Sequence, residues 1–201
     1  MRGMNSMRWI FVVLCGSAIG CSPEPWPVVI PAPAAPDVTG GPRVASADAT
    51  TLAPLPRLTL SADAVAALEP LLTDYDAVYL ALMSDSLNGV ATRTAAITKT
   101  ARLARSQVKD ATVAALLVEI EARARKLGEG DLDATRLTFG DLSQSLVALL
   151  SGVEPLRRGR HVFECPMAKG YQKWIQVEPG LKNPYFGASM LTCGDESQWA
   201  P

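Results

Sequence analysis

Five side chains in the last forty-one residues carry the chemistry of a soft-metal site: His161, Cys165, Met167, Met190 and Cys193, arranged as H-x3-C-P-M and, downstream, M-x2-C. Thiolates, thioethers and imidazole are the donors that soft ions prefer, Cu(I) above the others. Cys165 and Met167 are two residues apart, so in an extended strand both side chains point the same way and form a two-point clamp. Met190 and Cys193 are three apart, which suits one face of a turn. His161, the chain's only histidine, follows Arg157, Arg158 and Arg160, and a cationic surrounding disfavours a metal. Core packing is the plain alternative for both methionines, and a surface position is the plain alternative for His161.

The compartment decides how the cysteines are read. Residues 1–21 hold Arg2 and Arg8, an apolar run from Trp9 to Leu14, and Ser17-Ala18-Ile19-Gly20-Cys21. A basic start, a short apolar stretch and small residues before a break point make a secretory signal. The run is too short to span a bilayer, which takes about 20 apolar residues. Cys21 directly after a small residue resembles a bacterial lipobox, in which it would be acylated, although Ala18 stands where leucine is usual. Ser22 after it favours the outer membrane by analogy with sorting in enteric bacteria. In an oxidising compartment, a remaining pair such as Cys165 and Cys193 is often a disulfide. Such a bond would constrain the unfolded chain by about 3–4 kcal/mol. Metal ligation and a disulfide both stay open for this pair.

The elements that must position these residues follow from pattern. The chain has 201 residues, 19% charged, with net charge −1, so no nucleic-acid footprint is visible. Residues 22–58 hold nine prolines, few charges and no helical period, and read as a disordered, extended tether. Ser61 caps a helix carrying Leu68, Leu71, Leu72, Tyr75, Val78, Tyr79 and Leu82 at helical spacing. Pro70 interrupts that pattern or marks the first turn of the main helix, and Asn88-Gly89 stops it. A second helix covers about Val90 to Gln107, with Ile97, Ala101 and Ala104 inside and Arg93, Lys99, Arg102 and Arg105 outward. A third starts after Asp110 and a fourth runs from Leu132 to Gly152, separated by Gly128-Glu129-Gly130-Asp131. The expected fold is mainly α: an up-down four-helix bundle over about 61–152, with an irregular, turn-rich C-terminal segment over about 156–195 docked on it. Short extended pieces are expected at Val162 and Phe163, Trp174 to Val177, and Ser189 to Thr192. Met83, Tyr75, Tyr79 and Phe139 are assigned to the core.

Cys165-Pro166-Met167-Ala168, Trp174, Asn183-Pro184-Tyr185-Phe186-Gly187 and Met190-Leu191-Thr192-Cys193-Gly194 together resemble a bacterial extracytoplasmic domain of unknown function. That domain is found in secreted proteins and lipoproteins and at the C-terminus of adaptor proteins of heavy-metal efflux pumps. Arg136, Phe139 and Ser143 fit the pattern of its last helix. The resemblance covers about Leu71 to Gly194, with a shorter, more charged stretch from Ala168 to Ile175 than is usual. It implies an association with metals through domain context, not a defined activity.

Two functions follow as expectations. One is a lipid-anchored envelope protein that binds a soft metal ion, Cu(I) first, for homeostasis or efflux. The other is a disulfide-stapled, non-catalytic interaction module that meets envelope or metal-efflux proteins. No enzyme is expected, because the chain lacks C-x-x-C, a nucleophile elbow and a metalloprotease motif.

Overall fold

The computed structural model describes residues 56–199. The signal segment, Cys21 and the proline-rich segment up to residue 55 lie outside the described residues. Four long helices account for most of the described chain: α1 (Ala62–Met83), α2 (Val90–Arg105), α3 (Ala111–Lys126) and α4 (Leu132–Gly152). A single-turn helix, α5 (Glu154–Arg157), leads into three short strands, β1 (His161–Glu164), β2 (Lys173–Gln176) and β3 (Asp195–Glu196). Among the described residues, no helix is long and apolar enough to cross a membrane.

Local chemistry sets the helix boundaries. Ser61 accepts the Ala64 N–H at 3.2 Å, Asp110 accepts the Thr112 and Val113 N–H groups at 2.9 and 3.0 Å, and Asp131 accepts that of Ala134 at 2.9 Å. Each cap satisfies N–H groups that the first helical turn leaves open. α1 runs straight through Pro70. Pro70 and Ala66 are both exposed, so the carbonyl that loses its N–H partner is open to solvent. The outcome corrects the expectation that Pro70 interrupts the helix or opens it.

The buried faces are those the spacing predicts. Leu68, Leu71, Leu72, Val78 and Leu82 of α1 meet Ile97, Ala101 and Ala104 of α2, Val113, Leu117, Ile120 and Ala124 of α3, and Leu142, Leu146 and Leu149 of α4 in one core. Leu58 joins it from the edge, its N–H donating to the Gly152 carbonyl at 2.8 Å.

The C-terminal segment is built around a three-stranded antiparallel sheet in the order β2-β1-β3. Val162 pairs with Ile175 and Phe163 with Trp174, while Glu164 pairs with Asp195 on the other side. The extended piece expected over Ser189 to Thr192 is absent. Gly187–Ser189 is one turn of 3-10 helix, Cys193 N–H closes a further turn on the Met190 carbonyl at 3.1 Å, and the third strand comes later at Asp195–Glu196. Asp85 accepts the Ala188 N–H at 3.0 Å and holds the 3-10 turn against the end of α1.

Candidate functional site

Docking of this segment on the helices combines a shared apolar core with specific polar bonds. The Tyr75 hydroxyl, wholly buried on α1, lies 2.8 Å from Ser143 Oγ of α4 and accepts the Ile175 N–H of β2 at 3.2 Å. Ser143 itself donates to the Phe139 carbonyl, so the remaining proton on this chain belongs to Tyr75, which donates to Ser143. One side chain therefore ties two helices and a strand together. Burial pushes the Tyr75 phenol far above its ordinary range, so it stays a donor.

The next residue of β2 continues the pattern. Gln176 is completely buried, and its Oε1 accepts from Tyr79 OH at 3.2 Å and Trp174 Nε1 at 2.9 Å. Its Nε2 donates to the carbonyls of Glu178 and Gly180. A buried amide is tolerated only when its bonds are made in this way. Around it the rings pack in sequence: Tyr75 stacks on Phe139 at 5.0 Å, Phe139 meets Tyr185 edge-on at 6.0 Å, and Trp174 meets Tyr185 edge-on at 5.7 Å.

The residues that carry the resemblance sit at this joint. Arg136 donates through Nε to the Pro184 carbonyl at 3.0 Å and through Nη2 to the Leu82 carbonyl at 3.2 Å, and it pairs with Asp85. The Ala188 N–H and then Arg136 hold the Asp85 carboxyl below the usual carboxylate range. Asn183 is fully buried. Its Oδ1 accepts the Tyr185 N–H and its Nδ2 donates to the Cys193 carbonyl, both at 2.8 Å. Gly187 has φ +53°, and a Cβ there would overlap the Asp85 carboxylate and lie 2.6 Å from Arg136 Nη2.

Against this frame the five candidate donors fall into distinct places. Cys165 is completely buried just beyond the end of β1 and Cys193 is half-buried, and their sulfurs lie 2.9 Å apart. In the thiol form, a hydrogen bond with Cys165 and then burial push the Cys193 thiol up, away from the thiolate that reacts or binds metal. Met190 is half-buried on the turn closed by Cys193, as the three-residue spacing predicts.

Met167 does not share a strand face with Cys165. β1 ends at Glu164, and the Ala168 N–H returns to the Cys165 carbonyl at 3.0 Å, so residues 165–168 form a turn. Met167 is 61% exposed there, in contrast to the buried Cys165. With Leu137, Ala168, Tyr185 and Phe186 it lines a groove of about 590 Å³, bordered by Arg136 and Lys169.

His161 lies at the far end of β1, where Nδ1 is 3.0 Å from Glu196 Oε1. Four residue steps along the strand carry the chain from it to Cys165, a distance of about 13 Å, so the two do not share an ion. Among the described residues, no group of three or more His, Cys, Asp or Glu side chains is gathered to hold a metal. His161 and Met167 thus stand apart from the Cys165–Cys193 pair. Comparisons with protein-family models, with curated proteins and with solved structures find no match for this chain.

Proposed function

We propose that this chain is a non-catalytic interaction module of the bacterial cell envelope, its C-terminal segment stapled by a disulfide between Cys165 and Cys193. The observation that carries the reading is the 2.9 Å approach of the two sulfurs. Two sulfurs held at about 2.3 Å from one tetrahedral ion would stand roughly 3.8 Å apart, and farther for linear ligation. The closer approach favours a bond between the sulfurs over an ion shared by them, and an oxidising compartment favours it again. In this reading Cys21 carries the lipid anchor, facing the periplasm with the outer membrane favoured, and residues 22–58 are the tether. The four helices run up and down as a bundle. The groove beside Met167 and Phe186 faces the envelope or metal-efflux protein that the module meets, since flexible methionine surfaces adapt to apolar partners.

Soft-metal capture is the second reading, and the donors beside the thiol pair favour it. Met190 sits one turn from Cys193, so Cys165, Cys193 and Met190 form a smaller sulfur set than the five-donor site, suited to Cu(I). This reading needs the two sulfurs to separate. Met167 and His161 would then be peripheral to the ion.

Alkylation of the intact protein purified from a periplasm, together with Cu(I) competition against a colorimetric chelator, separates the two. The module predicts no alkylated thiol and no withdrawal of copper. Two alkylated thiols and one Cu(I) per chain, lost in Cys165→Ala, would instead establish the metal reading.

A further inference from the structure

A second chemically distinct surface lies on α2 and α3. Glu121 is buried, at 7% exposure, and its Oε1 accepts from Arg102 Nε at 3.0 Å and Nη2 at 2.9 Å, and from Arg125. Arg105 reaches its other oxygen at 3.8 Å. The hydrogen bond from Arg102 holds the Glu121 carboxyl below its usual range, so it stays charged.

One carboxylate thus orders three guanidiniums that remain largely exposed, with side-chain exposures of 57%, 42% and 56% for Arg102, Arg105 and Arg125. Each guanidinium has five N–H donors in a rigid fork, and Glu121 uses only a few of them. The rest are pre-oriented toward solvent, in the planar geometry that suits phosphate oxygens. Lys99 stands one turn before Arg102 and Leu103 and lines the same open groove of about 570 Å³. α2 contributes no acidic residue at all, although the whole chain carries net charge −1. The cations of α2 are therefore not offset by any acid on their own helix.

Leu103 lies among these cations and is 55% exposed. An apolar side chain ringed by long cationic ones is the arrangement that meets a bilayer interface, with the charges at headgroup level and the leucine below them. We infer that the α2–α3 face docks on an anionic phospholipid bilayer, with Lys99, Arg102, Arg105 and Arg125 taking headgroup phosphates and Leu103 the adjoining acyl region. The inference rests on the envelope reading only in that a bilayer must be near. Cys165 and Cys193 do not line this face, so the staple and the docking surface are scored separately.

The test uses the full chain as Cys21→Ser, so that acylation does not carry it to lipid. It is co-sedimented with vesicles of phosphatidylcholine, alone or mixed with phosphatidylglycerol. Binding is expected only to the mixed vesicles, weakening as salt is raised. Lys99→Glu leaves the Glu121 cluster intact and should lower binding about tenfold or more. Arg158→Glu makes the same change in net charge away from the face and should leave binding nearly unchanged. Inorganic phosphate at matched ionic strength should not displace the chain. Equal binding to phosphatidylcholine alone, indifference to Lys99→Glu, or an equal loss in Arg158→Glu would overturn the assignment. So would displacement by phosphate, which would indicate an isolated anion site, or preferential capture by polyglutamate, which would indicate an acidic protein.

Discussion

Asn183 donates its side-chain amide to the Cys193 carbonyl at 2.8 Å, and through this bond the Asn-Pro-Tyr-Phe-Gly turn fixes where Cys193 stands. The Asn183 N–H adds a second tie, to the Leu191 carbonyl at 2.7 Å. Cys165 is fixed independently, its N–H donating to the Gln172 carbonyl at 3.1 Å beyond the end of β1. Two separately anchored backbones thus bring two sulfurs together across 28 positions of sequence.

Replacing Asn183 tests that linkage. Asn183→Ala leaves the Cys193 carbonyl and the Tyr185 N–H without these partners in a buried setting, at a cost of about 1–3 kcal/mol for each group left unsatisfied. The variant should unfold at lower denaturant and, after reduction, reoxidise its thiols more slowly than wild type. Unchanged reoxidation with lowered stability would mean that Asn183 shapes the turn without placing the cysteine.

Removing the staple should cost stability without dissolving the helices. Cys165→Ser is expected to lower unfolding free energy by about 3–4 kcal/mol, the value for closing a loop of this length. The helical circular dichroism signal should persist, because the core of α1 to α4 is built from its own apolar faces. Wild type treated with reductant should match the variant.

Gly187→Ala probes the clamp between Asp85 and Arg136. The new methyl group needs a φ that side chains rarely adopt and overlaps both charged groups. A loss of about 1–3 kcal/mol is expected from the backbone alone, with the displaced ion pair adding to it. Chemical denaturation measures the sum. A neutral outcome would mean that the clamp yields easily.

Acidity acts through Asp76 on α1. Burial, first, raises its pKa to about 6, with Glu69 also raising it and Arg160 opposing. The folded chain therefore holds a proton that the unfolded chain releases near 3.8. The stability contributed by this proton is fully present below about pH 3.8 and is lost as pH rises through about 6. Asp76→Asn should be more stable than wild type at neutral pH and should lack the gain wild type shows on acidification from pH 7 towards 5. Below that window the lowered carboxyls of Asp85 and Glu121 work in the opposite direction.

The helices were legible in the sequence because burial imposes a period on Leu, Ile, Val and Ala, and because Ser61, Asp110 and Asp131 mark their starts. Pro70 misled because a proline breaks a pattern on paper, whereas an exposed one costs a helix only a solvent-facing bond. The cysteine pair and the turn at Met190 were legible from residue type and spacing. Asp85, Gln176 and Tyr75 were not legible as the residues that dock the C-terminal segment. Their partners lie 97 to 103 positions away, at Ala188, Tyr79 and Ile175, and local pattern carries no trace of such pairings. The resemblance marked others beforehand: Arg136, Phe139 and Ser143 on α4, and Trp174, Asn183, Tyr185 and Gly187 in the C-terminal segment, all serve the joint. The clamp expected from Cys165 and Met167 failed because the strand ends at Glu164 and the chain turns over residues 165–168.

The most direct test of the staple is a non-reducing tryptic map of the protein taken from a periplasm. Cleavage after Arg160, Lys169 and Lys182 isolates Cys165 on the peptide 161–169 and Cys193 on the peptide that begins at Asn183. A single cross-linked species joining these two peptides, which separates on reduction, is the predicted result. Recovery of both peptides as free thiols from oxidising conditions would contradict the stapled module.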